Sequence, residues 1–394
     1  MRVLHLIPSI SRRRGGPSQA VLAMVAALRR QGVDASIITT NDDGPDRLPM
    51  PLGEWHEQEG VPVLAFPRWS PSWPLLRPLR EFAVSPPLTR WLEQHLGSYD
   101  LLHVHALFSF PSTAGMAVAR RHHKPYLQRT IGQLQHWSLQ QSAGRKQLLL
   151  RLIERRNLNG AAALHFTSPL EQQEAATLRL RAPSFVLPLG VELPDLPAQP
   201  STPSDRQRPV RWLFLSRLHP KKQLPLLFEA LAELRQRRPE APWQLDIAGE
   251  GEPSYLAELK QQASQLAISS RLHWHGFVAG EAKAALLLQA DWFILPSAAE
   301  NFGIAAAEAL AAGTPVLLCP GVALADQVVE AGAGHVVEPR PTDLARILEN
   351  HCLQPPSRSM RSAARALAAQ RYSWDTIASQ LIVHYQSVLE PAPC

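Results

Sequence analysis

Pro296-Ser297-Ala298-Ala299-Glu300-Asn301-Phe302-Gly303-Ile304-Ala305-Ala306-Ala307-Glu308-Ala309-Leu310 follows the apolar tetrad Trp292–Leu295. The tetrad reads as a buried strand, and the Ala-rich run after Gly303 as a helix that stops near Gly313-Thr314-Pro315. A strand that passes through a short loop into a helix is the repeating unit of a parallel α/β sheet.

The same alternation extends outward in both directions. Strands are expected at Val210–Ser216, Gln244–Ala248, Leu272–His275, Val316–Leu318 and His335–Val337 around this unit. Earlier in the chain they are expected at Val3–Ile7, Ala35–Thr39, Val61–Phe66, Leu101–His105, Tyr126–Thr130, Ala163–Thr167 and Phe185–Leu187. Helix-period segments lie between them, such as Ser18–Gln31 with Val21, Met24, Val25 and Leu28 on one face. A chain of 394 residues is too long for one ordinary core. The segment Pro194–Ser204 holds Pro194, Pro197, Pro200 and Pro203 and can continue neither a helix nor a central strand. The expectation is therefore an α/β protein of two Rossmann-like, doubly wound parallel-sheet domains facing a central cleft. The domains are read as 1–191 and 210–372, with a linker at 192–209 and a last helix, 373–390, returning to the first domain. Trp69–Pro87, with five prolines, reads as an irregular excursion.

Open α/β sheets bind ligands outside the carboxyl ends of their strands, so the loops after strands carry the candidate chemistry. Gly303 and the small residues after it leave the first N–H groups of a helix open to an anion. Glu300 sits in the loop and Glu308 about one turn inside the helix, where carboxylates accept from sugar or ribose hydroxyls. On this motif alone, an ordinary helix cap at Glu300 and a solvated glutamate at Glu308 stay open as readings. Leu215-Ser216-Arg217-Leu218-His219-Pro220-Lys221-Lys222-Gln223 places a planar fork and a point charge after another strand, a pairing suited to a diphosphate. Ser9–Ser18 is a Gly-rich loop with Gly15-Gly16-Pro17 before a helix; it matches neither the dinucleotide fingerprint nor a P-loop.

Composition narrows the classes. With 45% hydrophobic and 19% charged residues the chain is globular, and no run approaches the roughly 20 apolar residues of a membrane span. The short apolar start ends at Pro8, which reads as a first strand of a cytoplasmic protein. Cys319, Cys352 and Cys394 lack metal or disulfide spacing. A net charge of +6 suits anionic partners, but no nucleic-acid-binding signature accompanies it. That leaves nucleotide diphosphates and anionic lipid surfaces. Residues 142–158 mix Arg145, Lys146, Arg151, Arg155 and Arg156 with Leu148, Leu149, Leu150, Leu152 and Ile153, which reads as a solvated basic face over a core or as a peripheral membrane contact. His103 and His105 end a strand, and a metal there is not expected because one strand face carries both and no third ligand is near.

Taken in order, these segments resemble the large family 4 of retaining glycosyltransferases over nearly the whole chain. Arg217, Lys222 and the Glu300–Glu308 spacing match the family's donor site in type, order and context, and HVHALFSFPS, HFTSPLEQ and LPLGVELP resemble its polysaccharide-assembling subgroup. The resemblance implies the GT-B fold and metal-independent, cofactor-free hexosyl transfer from a nucleotide-diphosphate sugar to a glycan or lipid-linked acceptor. It implies that Arg217 and Lys222 hold the diphosphate, Glu308 the ribose and Glu300 the transferred sugar. Asn301, Phe302, Gly303 and Ile304 would line the donor loop, and Gly16 would approach from the first domain. Two positions depart from the family pattern. Gln223 stands where a glycine is usual, and Ile131 where many members carry a histidine near the reacting sugar. His105, Arg129 and His136 are the candidates for the acceptor side. A sugar-nucleotide-binding protein with little turnover, and a sugar-nucleotide isomerase of the same layout, are the alternatives.

Overall fold

A computed structural model describes residues 1–11, 13, 16–69, 82–141, 143–195 and 208–390. The excursion read at Trp69–Pro87 and the linker read at 192–209 lie largely outside the described residues. The chain forms two compact units, Met1–Gly190 with Trp374–Cys394, and Val191–Ser373.

The first unit is built on ten strands: β1 (Arg2–Ser9), β2 (Asp34–Thr40), β3 (Asp42–Asp43), β4 (Asp46–Arg47), β5 (Trp55–Gln58), β6 (Val61–Phe66), β7 (Leu101–His105), β8 (Tyr126–Arg129), β9 (Ala163–Phe166) and β10 (Ser184–Val186). Eight of them form one sheet in the order β10-β9-β8-β7-β1-β2-β6-β5, and β3 pairs with β4. In β1 the five residues Val3–Ile7 are all buried, as a parallel strand covered on both faces requires. Within the eight-stranded sheet, the strand that the apolar pattern misses is β5, which pairs antiparallel with β6. The connection is the two-residue turn Glu59-Gly60, with both φ angles positive, the form that matches the twist of a hairpin.

The helix Trp374–Leu389 belongs to this unit. Asp375 accepts from Arg30 Nη2 at 2.8 Å, tying it to the helix Gly16–Arg30. Trp374 fills the space over Gly190, where any Cβ would lie 2.3 Å from the indole.

The second unit carries β11 (Val210–Leu215), β12 (Trp243–Ala248), β13 (Leu272–Gly276), β14 (Trp292–Leu295), β15 (Val316–Leu318) and β16 (Gly334–Val336) in one parallel sheet, ordered β13-β12-β11-β14-β15-β16. Trp212, Phe214, Phe228, Trp292 and Phe293 make its core, each burial contributing roughly 1.5–3 kcal/mol. Strand order reverses between β11 and β14. Such a switch point opens a crevice at the strand carboxyl ends, and the two loops there are those after Leu215 and after Leu295.

Candidate active site

After β11 the chain passes through a short turn, Pro220–Lys222, which His219 starts by accepting at Nδ1 from the Lys221 N–H at 3.1 Å. Gln223 then adopts a left-handed backbone, φ 52°, before the helix Leu224–Arg237. After β14 the loop ends at Gly303, φ +86°, which is the N-terminal cap of the helix Ile304–Ala311. No side chain caps that helix, so Glu300 is not its cap.

Glu300 is instead the partner of Lys222, whose ammonium donates to its Oε1, and Ser297 Oγ donates to the same oxygen at 3.1 Å. Both side chains of the pair are about 15% exposed or less, so little solvent screens them. Burial first, then the neighbouring Lys221 and Arg217 charges, push the Lys222 ammonium down to about 7. Arg217 is exposed and makes no ion pair among the described residues. Half-buried Glu308 accepts from Lys283 Nζ at 2.8 Å, so it is not a freely solvated glutamate. Phe302 is buried edge-on to Tyr372, whereas Asn301 and Ile304 are half-buried.

Backbone contacts hold these loops together. Gly249 follows β12 at φ +141°, and a Cβ there would lie 1.9 Å from the Ser216 carbonyl oxygen. Ala298 donates to Lys221 O at 3.1 Å, and Glu300 N donates to Gly321 O at 2.8 Å. Four strand-end segments thus fix where the basic pair and both glutamates stand.

In the first unit, His105 and Arg129 sit at the ends of β7 and β8, both with no exposed surface. His5, His103 and His165 lie on the same sheet face, and Tyr385 reaches them from the helix Trp374–Leu389. The expectation that no third imidazole stands near His103 and His105 is corrected: His5 Nδ1 is 3.0 Å from His105 Nε2. Parallel pairing of β1 with β7 brings it there, across 100 residues of sequence. The three rings are close enough to be considered as metal ligands. Their nitrogens, however, are engaged with one another and with Tyr385, and the Arg129 cation is adjacent. That arrangement favours a hydrogen-bonded layer over a cation site. His136 is elsewhere, exposed, with Nε2 3.4 Å from Thr177 Oγ1. Gly16 is the half-buried first residue of its helix.

Residues 201–366 match the family model described as glycosyl transferases group 1, and residues 15–190 match that of the glycosyl transferase 4-like domain. Together the two matches span most of the chain, which is a glycosyltransferase. This glycosyltransferase is 27% identical over 393 residues to the D-inositol 3-phosphate glycosyltransferase of Arthrobacter sp. (strain FB24), covering 95% of this chain and 91% of that one. It is also 27% identical over 400 residues to the GDP-mannose:cellobiosyl-diphosphopolyprenol alpha-mannosyltransferase of Komagataeibacter xylinus, covering 99% and 94%. Among solved structures, Anabaena Alr3699/HepE in complex with UDP and glucose shares the fold, with TM-score 0.72, 22% identity and coverage of 98% and 100%.

Two residues of the glycosyltransferase follow from geometry rather than motif. Lys283, in the helix Gly280–Gln289, was invisible in sequence because it meets Glu308 from 25 residues away. Gln223 matters for its backbone: a left-handed non-glycine residue is strained, and its Oε1 is buried without a hydrogen-bond partner. Gln223→Gly should therefore raise the unfolding free energy by about 0.5–1 kcal/mol in a urea titration. A loss of stability would show that the glutamine side chain contributes more than its strain.

Proposed function

We propose that this glycosyltransferase takes a hexose from a nucleotide-diphosphate sugar and transfers it with retained configuration, without a metal ion or other cofactor. The acceptor is a glycan or lipid-linked glycan in cell-surface polysaccharide assembly. The observation that carries this reading is the Lys222–Glu300 pair beside exposed Arg217 at the β11/β14 switch point. Arg217, Lys222 and the uncapped start of Ile304–Ala311 supply fixed positive potential where a departing diphosphate gains charge, the role a divalent ion fills in other transferases. Glu308, oriented by Lys283, accepts from the ribose hydroxyls, and Glu300 accepts from a hydroxyl of the transferred sugar. The adjacent carboxylates Asp42 and Asp43, the pair nearest to a metal-binding DxD in kind, belong to the other unit. They are spent on Arg68 and on Ser11 with Arg13. The GDP-mannose and cellobiosyl-diphosphopolyprenol in the name of one relative support the donor and acceptor classes, and the UDP and glucose bound in the structural neighbour fit the same donor class.

The test is a thermal-shift panel of nucleoside diphosphates and their sugars, with and without EDTA. A donor at a hundred times its Kd should stabilise the chain by about 2.7 kcal/mol, unchanged by the chelator. Glu300→Gln should keep that stabilisation while losing most turnover. A panel without a responder, or a response abolished by EDTA, sinks the reading.

A peripheral contact with the inner face of the plasma membrane fits the same proposal. No helix among the described residues is long and apolar enough to cross a membrane. The segment Ala143–Asn159 turns Leu148, Leu152 and Ile153 outward, at 58, 67 and 43% exposure, beside exposed Arg145, Arg151, Arg155 and Arg156. Leucines over a core would be covered, so the core-packed reading of this face does not hold for them. The chain should float with vesicles containing anionic phospholipid and not with neutral ones. Leu148→Ser with Leu152→Ser should weaken that binding about a hundredfold or more, at about 1.5 kcal/mol or more per leucine. Equal flotation of the double variant would remove the contact from the proposal.

A further inference from the structure

We infer that the corner at the carboxyl ends of β7 and β8 is a binding site for one small anionic group, a phosphate or a carboxylate, held by Arg129. Its guanidinium has no exposed surface, and its one hydrogen bond runs from Nη1 to His105 Nδ1 at 3.4 Å. Nε and Nη2 are buried without a partner. Unused donors on a buried cation are uncommon, because each forfeits its hydration with nothing in return.

Among the described residues, no carboxylate bonds the guanidinium. The rings of His5, His103, His105 and His165 are held neutral, by burial first and then by mutual and Arg129 repulsion. Tyr385 stays a neutral phenol for the same first reason. Glu171, the carboxylate whose field is felt at Arg129, spends its oxygens on Thr130 Oγ1, the Gly132 N–H and both donors of Thr167. Arg129 keeps its proton, with its pKa lowered only to about 10. The corner is therefore a charged donor set of fixed geometry lacking an acceptor, which is the description of an anion site.

The loops over it carry a second, independent mark. Ala106 and Phe108 after β7, and Ile131 after β8, all hold left-handed backbones at φ 67°, 53° and 53°. Ile131 is β-branched and strained there. Leu107 N, between the first two, donates to the side chain of Gln133 and joins the loops. Strained backbone gathered over a buried unpaired cation marks a ligand pocket rather than a packing solution. The anion is either free in solution or the charged end of an acceptor, and the chemistry that recognises it is the same.

The experiment uses the full chain carrying Arg217→Ala and Lys222→Ala, so that the diphosphate loops cannot respond and failure of the donor reading leaves this test intact. The thermal midpoint is followed at constant ionic strength against inorganic phosphate, a hexose 6-phosphate and the neutral hexose. A saturable rise with phosphate, lost in a further Arg129→Met variant that is itself more stable without anion, is the expected result. A parallel rise with hexose phosphate and none with hexose identifies the acceptor as the source, whereas phosphate alone identifies a free ion. Should Arg129→Met not fold, crystals of the parent soaked in bromide must show an anomalous peak against the guanidinium. No rise with either phosphate, an equal rise in Arg129→Met, or no peak overturns the site.

Discussion

Lys222→Ala should lower turnover by about 10²–10³-fold, the loss found when one preorganised group facing developing negative charge is removed. The substitution takes away the ammonium and leaves Glu300 in a mostly buried position with no counter-charge, so the field at the diphosphate changes sign locally. Arg217→Ala should cost less in stability, because its side chain is exposed, but most of the nucleotide-induced thermal shift should vanish in both variants. The pH dependence separates the two cations. Free Lys222 releases its proton near 7, whereas a bound diphosphate requires it, so affinity should fall as pH rises above about 7, by up to tenfold per unit. Fold stability should move oppositely. The unfolded chain holds that proton up to the ordinary lysine value, so it binds more protons than the folded chain above about 7, and Lys222 contributes increasing stability over that window. Arg217→Ala should keep the pH slope of binding and Lys222→Ala should lose it. An unaltered slope in Lys222→Ala would remove that residue from the diphosphate site.

Acid should unfold the first unit at a mild pH. Burial pushes His5 down to about 3 and holds His103, His105 and His165 well below the ordinary histidine value. Depressed imidazoles leave the folded chain with fewer protons than the unfolded one below about 6.5. The stability they allow at neutral pH is therefore lost progressively as pH falls toward their folded values. Four such groups give a limiting slope of about 5 kcal/mol per pH unit, large against the 5–15 kcal/mol of a typical domain. Urea titrations at pH 7 and pH 5.5 should differ by several kcal/mol, and His165→Gln should make the difference smaller. Equal midpoints at the two pH values would mean that the rings take up protons in the folded chain as readily as in the unfolded one.

Most of the fold was legible because parallel strands are covered on both faces and therefore write themselves as continuous apolar runs such as Val3–Ile7 and Trp292–Leu295. Trp55–Gln58 escaped that reading because a half-exposed edge strand alternates instead. Its available signal was the Glu59-Gly60 dipeptide, which marks a tight hairpin. The candidate donor loops were readable for a related reason: each follows a buried strand at the carboxyl edge of the sheet, where this architecture binds ligands, and each carries glycines or charges that an ordinary turn does not require in that number. Lys283 and His5 were not readable. One reaches Glu308 through helix packing and the other reaches His105 through strand pairing, and local spacing encodes neither contact. The backbone of Gln223 was half legible: a glycine is usual at that position, which hints at a left-handed residue, and the φ angle shows that the glutamine adopts it.

The carbonyl of Ser216 faces Gly249 with no room for a methyl group, and Gly321 faces Ala298 O as closely. Main-chain interlocking of this kind makes the crevice floor of the second unit a casting rather than a hinge. Sequence drift there can change what a lineage of such enzymes selects by exchanging side chains above the floor. Reshaping the floor itself would require two segments to mutate together.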